Sequence, residues 1–273
     1  MKLLAVRVRP RSNPDGVVAA LFDAGSMGIH EDGDTLVTNL ALDGDVELLR
    51  MRVAEADPAA VVDVTTVTPP DFSEWRGTVG AHTVGRITVA PPWVDAGIAD
   101  IMIRIEPAMA FGTGEHATTR LCLSLLQRVV RPGDTVADLG SGSAVLSIAA
   151  AKLGASSVAA IEIDPDSTSN AEENVARNEV GSAVHLFEGD ATVLLPLIAP
   201  VRVVIANILS SVILELLPVM RDALTPDGEA ILSGILVEER ELMLTRLAEA
   251  GWSVTREESE GEWWSAVVTS SES

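Results

Sequence analysis

Short apolar runs alternate with polar turns over the first 67 residues. Leu3–Val8 reads as a strand. Asn13–Ala24 reads as a helix, with Asn13 as its N-cap, Pro14 at the first helical position and Gly25 as its stop. Ser26–Glu31 and Thr35–Leu40 read as two strands around Asp32-Gly33, a hairpin signal. Asp43–Ala56 predicts a second helix and Ala60–Val67 a closing strand. The resulting order, βαββαβ, is that of a small ferredoxin-like α+β unit, residues 1–67. It carries no visible chemistry, which fits a docking role or simply a cover for one face of a larger domain.

From Thr68 to Pro92 the texture changes. Pro69, Pro70, Pro91 and Pro92 interrupt regular structure, and Trp75 and Trp93 stand out as packing anchors. Residues 68–100 therefore read as a connector with one strand, Arg86–Ala90. Beyond Ala99, near-continuous apolar runs alternate with helical stretches. Strands are predicted at Ile101–Ile105, Thr135–Leu139, Val158–Ile163, Ala183–Phe187, Val201–Ala206 and Ala230–Ser233. Runs of this kind belong to strands covered by helices on both faces. Residues 101–273 thus predict a doubly wound, Rossmann-like α/β sheet. Trp252–Arg256 and Trp263–Thr269, separated by an acidic turn, predict an antiparallel hairpin at its edge.

Composition narrows the function. The 273 residues carry 40 acidic and 19 basic side chains, a net charge of −21. Gripping phosphate backbones runs on Lys and Arg, so direct nucleic-acid binding is not expected. A basic protein partner suits the balance better. Cys122 is the one cysteine, which excludes an internal disulfide and a Cys-rich zinc site. His30, His82, His116 and His185 have no second ligand at metal-site spacing, so no metal is expected. The start, MKLLAVRVRP, is too short in apolar residues for a signal-peptide core. The apolar stretch Thr192–Met220 contains Arg202 and Asn207, which are costly in a membrane; a buried strand and helix explain it better. The chain reads as soluble and cytoplasmic.

Four motifs carry chemistry. In Asp138-Leu139-Gly140-Ser141-Gly142-Ser143-Ala144 a strand turns into a helix, and Gly140 and Gly142 let the backbone approach a ligand beside a helix N-terminus. Val145 stands where a dinucleotide fingerprint needs its last glycine. Glu162 ends the next strand, 22 residues after Gly140. A carboxylate there can accept both hydroxyls of a ribose; the plain alternative is a solvated strand-end charge. Asp190 suits either an adenine amino group or the N-cap of the following helix. The run Phe111-Gly112-Thr113-Gly114-Glu115-His116-Ala117-Thr118-Thr119 lacks the lysine of a phosphate loop. Its glycines fit a tight turn over a ligand, and Thr118 and Thr119 fit caps of a helix from about Arg120. Finally, Asn207 ends an apolar strand, where open α/β sheets bind ligands. Its amide can both donate and accept, and the plain alternative is an N-cap.

These motifs, in this order, resemble the class I S-adenosylmethionine-dependent methyltransferases. AFGTGEHATTRLCL (Ala110–Leu123), VIANIL, ILSGIL (Ile231–Leu236) and GEWWSAVV resemble one family among them. That family is the PrmA type, which methylates ribosomal large-subunit protein eleven. The resemblance spans essentially the whole chain. It implies S-adenosylmethionine as methyl donor, amines of a basic ribosomal protein as acceptors, and Thr119, Gly140, Glu162 and Asn207 as cofactor-binding positions. It also implies that the amino-terminal unit captures the substrate. The departures are Ala144 for a usual glycine, Ser141 for a cysteine, Ala117 for a proline and Glu162 for an aspartate. They leave open a weaker cofactor site or a diverged substrate. A nicotinamide oxidoreductase, a methyltransferase of another protein and an adapter without cofactor binding are the competing readings.

Overall fold

The computed structural model describes residues 3–26, 29–32, 35–41, 45–67, 79–106 and 115–270. The chain divides into two compact units, Met1–Thr78 and Val79–Ser273.

The first unit has the expected element order: β1 (Leu3–Arg9), α1 (Pro14–Asp23), β2 (Ile29–Asp32), β3 (Thr35–Ala41), α2 (Val46–Ala56) and β4 (Val61–Val67). Its strands lie in the order β2-β3-β1-β4, all antiparallel. Asn13 caps α1 by accepting the Gly16 N–H at 3.1 Å. Asp45 caps α2 by accepting the Leu48 N–H at 2.9 Å, so this helix starts later than the Asp43 expected. Val6 and Val8 of β1 and Leu36 and Leu40 of β3 pack on Val17 and Leu21 of α1 and Leu49 and Val53 of α2. Asp57, fully buried, ties the β1–α1 loop to the end of α2. Its carboxylate accepts the N–H groups of Arg11, Ser12 and Asn13 and the Ser12 hydroxyl. Those hydrogen bonds hold its carboxyl well below the usual range.

The second unit begins inside the stretch read as a connector. β5 (His82–Val84), β6 (Ile87–Ala90) and β7 (Ile101–Arg104) form a three-stranded sheet of their own. Ile87, Val89 and Ala90 are buried in the core of this unit, which begins at Val79. The rest of the expected connector, 68–78, lies outside the described residues. β7 therefore does not join the large sheet, contrary to the sequence reading. The chain here is held instead by the side-chain amides of Asn174, in helix α5 (Pro165–Arg177), and of Asn178, its C-cap. Asn178 exchanges hydrogen bonds with the Arg104 N–H and C=O at 2.9 and 2.7 Å, and Asn174 accepts the Glu106 N–H at 2.8 Å.

The large sheet comprises β8 (Thr135–Leu139), β9 (Ser157–Glu162), β10 (Val184–Glu188), β11 (Val201–Asn207), β12 (Leu224–Leu236), β13 (Trp252–Glu260) and β14 (Trp263–Ser270). Their order is β10-β9-β8-β11-β12-β14-β13. The first five are parallel, and β13 and β14 form the expected antiparallel edge hairpin. β12 starts earlier than Ala230, because Pro226, Asp227 and Gly228 are absorbed into a long strand. The flanking helices are α3 (Ala117–Val129), α4 (Val145–Lys152), α5, α6 (Ala191–Ile198), α7 (Ser210–Ala223) and α8 (Arg240–Glu249). Alternate residues of one strand feed two cores: Val203 and Ile205 of β11 pack on one face, Val204 and Ala206 on the other. The chain runs outward from β8 through β9 and β10, then returns to β11 on the other side of β8. This reversal opens a crevice at the carboxyl ends of β8 and β11, where ligands bind in such sheets. Gly140 and Asn207 sit at that point, just beyond the paired Leu139 and Ala206.

Candidate active site

The turn after β8 is built around positive φ angles. Gly140 has φ +71°, and a Cβ there would come within 2.5 Å of Ile208 Cγ2. The backbone can thus lie close under Ile208 only as glycine. Ala144 also has a left-handed backbone, φ +64°. Its methyl is fully buried in the core beside Val145 and Ile148 and lines neither of the cavities below. The departure from glycine therefore costs backbone strain without filling a cavity that could take ligand.

Glu162 is buried, at 8% exposure, so the solvated strand-end alternative fails. One carboxylate oxygen accepts the Gly142 N–H at 2.8 Å; the other accepts the N–H groups of Ile163 and Asp164 at 2.9 and 3.0 Å. Gly142 therefore spends its N–H on Glu162 rather than on a ligand. The carboxylate ties the glycine turn to the end of β9, and it retains acceptor capacity, since two ionised oxygens offer about four lone-pair positions. Asp164 caps α5, and Asp190 caps α6. Both Asp190 bonds, to the Thr192 N–H and hydroxyl at 2.8 Å each, use Oδ1. They lower its carboxyl pKa.

Two cavities open at the crevice. One, of about 280 Å³, is lined by Gly140, Ile163, Asp190, Ala191, Ile208 and Glu215 among others. The second, of about 300 Å³, is lined by His116, Thr118, Asn207, Leu209, Gly234 and Trp263, and Ile208 lines both. Asn207 is not a helix cap: α7 starts at Ser210, and its N-cap is Leu209, whose side chain makes no capping bond. The Asn207 Oδ1 is buried with no hydrogen-bond partner, as are Thr119 Oγ1 and Ser141 Oγ. Unpartnered buried polar atoms are expensive. Of the three, Asn207 alone lines a cavity, so its Oδ1 is the one placed to meet a polar ligand. Glu162 and Thr119 line neither cavity.

The helix after the FGTG run starts earlier than expected. His116, rather than Thr118 or Thr119, is the N-cap of α3. Its Nδ1 faces the Thr118 N–H at 3.4 Å and the Thr118 hydroxyl at 2.8 Å. Accepting the Thr118 N–H there places the neutral ring's proton on Nε2 and engages the Nδ1 lone pair in the helix cap. Burial, followed by the Arg120 guanidinium, lowers the His116 pKa. The ring stands edge-on to Trp263 with centroids 5.0 Å apart. Arg120 pairs with Glu260 and also donates to the Glu115 carbonyl, while His82 Nε2 lies 3.3 Å from Glu115. Phe111, Gly112, Thr113 and Gly114 lie outside the described residues. Among the described residues no group of side chains could hold a metal ion, and no helix is long and apolar enough to cross a membrane.

Sequence reasoning assigned no role to Trp263, Gly234 or the buried Asp138. Trp263 and Gly234 lay within the GEWWSAVV and ILSGIL runs, but their roles depend on contacts with distant segments. Asp138 accepts the Ser147 hydroxyl at 2.6 Å, and burial pushes its carboxyl up to about 6.

The family model for ribosomal protein L11 methyltransferase (PrmA) matches residues 70–271. The chain belongs to this family. A ribosomal protein L11 methyltransferase of Thermus thermophilus is 37% identical over 250 residues, covering 91% of this chain and 92% of the relative. Another, of Pelotomaculum thermopropionicum, is 41% identical over 210 residues, 76% of this chain and 68% of the relative. A crystal structure of ribosomal protein L11 methylase from Lactobacillus delbrueckii subsp. bulgaricus superposes with a TM-score of 0.64 at 32% identity, covering 71% of this chain and all of that one. The α/β sheet with its antiparallel edge is thus the fold of a PrmA methyltransferase. The oxidoreductase reading drops out.

Proposed function

We propose that this PrmA-family chain transfers methyl groups from S-adenosylmethionine to lysine or amino-terminal amines of ribosomal protein L11. The observation that carries the reading is the crevice at Gly140 and Asn207, with the unpartnered Asn207 Oδ1 on a residue that lines a cavity there. In this reading Glu162 holds the ribose hydroxyls, and Asp190 and Ile163 border the adenine. Gly140 and Thr119 lie against the amino-acid end. When bound, S-adenosylmethionine supplies an electrophilic methyl group on a sulfonium.

The chain's own work is to present a neutral amine. A lysine amine has a reference pKa near 10.4 and an α-amine one near 8, so both enter protonated. A carboxylate beside the amine would hold that proton on; burial would release it. Asn207 answers this requirement. Its amide oxygen accepts an amine N–H without adding a full negative charge. The apolar and aromatic walls, Ile208, Leu209 and Trp263, exclude water from the same cavity. Holding the lone pair in line is then the main catalytic task. His116 serves as cap and wall, since its Nδ1 is occupied and its Nε2 carries the proton.

The amino-terminal unit, ferredoxin-like in this reading, is the natural docking unit for the substrate. The net charge of −21 favours a basic partner. No ligand role falls to a metal, to nucleic acid or to a membrane, and the enzyme works in the cytoplasm beside its ribosomal substrate. Intact mass of purified ribosomal protein L11 after incubation with the chain and S-adenosylmethionine tests the reading. Gains in steps of one methyl are expected. An unchanged mass, with the cofactor still raising the melting temperature, would discard this substrate. No thermal shift would favour the adapter reading.

A further inference from the structure

Asn207 is the last residue of β11, opposite Ser233 of β12, and the connection that follows it has little to hold it from within. The segment Asn207-Ile208-Leu209 joins β11 to α7, and the N-cap position of α7 is the apolar Leu209. Its support comes from the far end of β12. The Ile208 N–H donates to the Ser233 carbonyl at 3.2 Å. Gly234, with φ +83°, lies flush beneath Ile208; a Cβ there would run into the Ile208 backbone. Both segments line the cavity that holds Asn207. A single carboxylate bridges them. Glu239, on the 3₁₀ turn Val237–Glu239, accepts the Ser210 hydroxyl at 2.7 Å on one oxygen and the Leu236 N–H at 3.0 Å on the other. Ser210 follows Leu209 directly, and Leu236 lies two residues beyond Gly234.

We infer that Glu239 is a positioning residue for methyl transfer: it locks the Asn207 loop onto the end of β12 and so sets where the acceptor amine is held. The chemistry explains the residue type. Two donors on different segments each need an acceptor, and an ionised carboxylate offers one oxygen to each. A negative charge beside the first turn of α7 also complements the helix dipole. Glutamine keeps one acceptor and turns its NH₂ toward the other donor. Gly140, Asp190 and Glu162 take no part in the bridge, and of Asn207, Ile208 and Leu209 only Ile208 also lines the donor-side cavity, so loss of the bridge should affect acceptor positioning more than donor binding. The inference rests on the amine-transfer reading above.

The test compares wild type with Glu239→Ala, Glu239→Gln and Ser210→Ala. It reads kcat and KM on ribosomal protein L11, S-adenosylhomocysteine affinity by calorimetry, melting temperature, and amide exchange of Ile208. Misplacing a reacting group by a small distance costs up to about 100-fold in rate. Glu239→Ala is therefore expected to lower kcat at least about 10-fold. S-adenosylhomocysteine affinity should stay within about twofold, and Ile208 should exchange faster. Glu239→Gln and Ser210→Ala, each losing one arm, should fall between Glu239→Ala and wild type. A kcat for Glu239→Ala equal to wild type overturns the inference. So does a loss of homocysteine-product affinity in step with kcat and melting temperature. If Glu239→Ala does not fold, Ser210→Ala carries the same test. If wild type leaves ribosomal protein L11 unmethylated, the reading of the reaction fails, and Ile208 exchange decides the clamp: unchanged exchange in Glu239→Ala overturns it.

Discussion

At the amino end of β11, Arg202 is 6% exposed and fully engaged. Its guanidinium meets Asp134 at 3.1 Å and Glu229 at 2.9 Å, and it also donates to the carbonyls of Asp227 and Val129. At the carboxyl end of the same strand, Asn207 has a buried carbonyl oxygen with no partner. One strand thus buries a charge that is paired on every side and an amide left open on its acceptor. A saturated polar cluster has no capacity for a ligand, and breaking it costs stability. An unsaturated one costs stability as it stands, and a ligand can recover that cost.

The largest effect is expected at the saturated end. Arg202→Ala leaves Asp134 and Glu229 without their cation and should cost about 3–5 kcal/mol of stability, read by chemical denaturation. Cofactor affinity of whatever remains folded should not change. At the open end the expectation reverses. Asn207→Ala should lower kcat by about 100-fold while moving stability by less than about 1 kcal/mol. An Asn207→Ala enzyme with normal turnover would remove the amine-positioning role.

Between the two ends lies Asp138 on β8. Its carboxyl pKa in the folded protein, about 6, lies above its ordinary value of 3.8 because burial disfavours the charge. The folded form therefore keeps the proton that the unfolded chain releases. The stability held by this proton is complete below 3.8 and is lost as pH rises through about 6. Asp138→Asn removes that loss. It should be more stable than wild type by roughly 3 kcal/mol at about pH 7, with the difference vanishing toward about pH 4. A constant difference across that range would contradict the assignment. The smallest effect belongs to Ala144. Ala144→Gly should change stability by less than about 1 kcal/mol, since relief of the left-handed backbone is offset by the freer unfolded chain and the lost buried methyl. Cofactor affinity should be unaffected, because the methyl faces the core.

How far the sequence could be read follows the range of the interactions involved. β8 is found where the apolar run places it, Thr135–Leu139, and the Asn13 cap acts within three residues of itself. Local signals sufficed there. β6 and β7 were legible as apolar runs, but β5, of 3 residues, and the pairing of these strands in a sheet of their own were not, because segments this short carry little pattern. Their arrangement comes from pairing with one another and from the amides of Asn174 and Asn178. Motif spacing placed Gly140 and Asn207 at the carboxyl ends of β8 and β11 and Glu162 at the end of β9, where the structure has them. That Glu162 spends its bonds on the glycine turn was not legible, nor that His116 rather than a threonine caps α3. Trp263 and His116 meet across more than a hundred residues of sequence, and Glu239 reaches back to Ser210 across 29. Such contacts exist only once the sheet has assembled.

The central claim is that the open carboxyl end of the sheet holds the methyl donor. Calorimetric titration of S-adenosylhomocysteine into wild type and Glu162→Gln tests it most directly. The amide would present a donor to backbone N–H groups that now meet a carboxylate, and it would lose the charged acceptor for the ribose. Wild type should bind one equivalent, with Glu162→Gln weaker by about 10-fold or more, the effect of losing a charged hydrogen bond. Equal affinity in a folded Glu162→Gln protein, or no binding to wild type, would contradict the account.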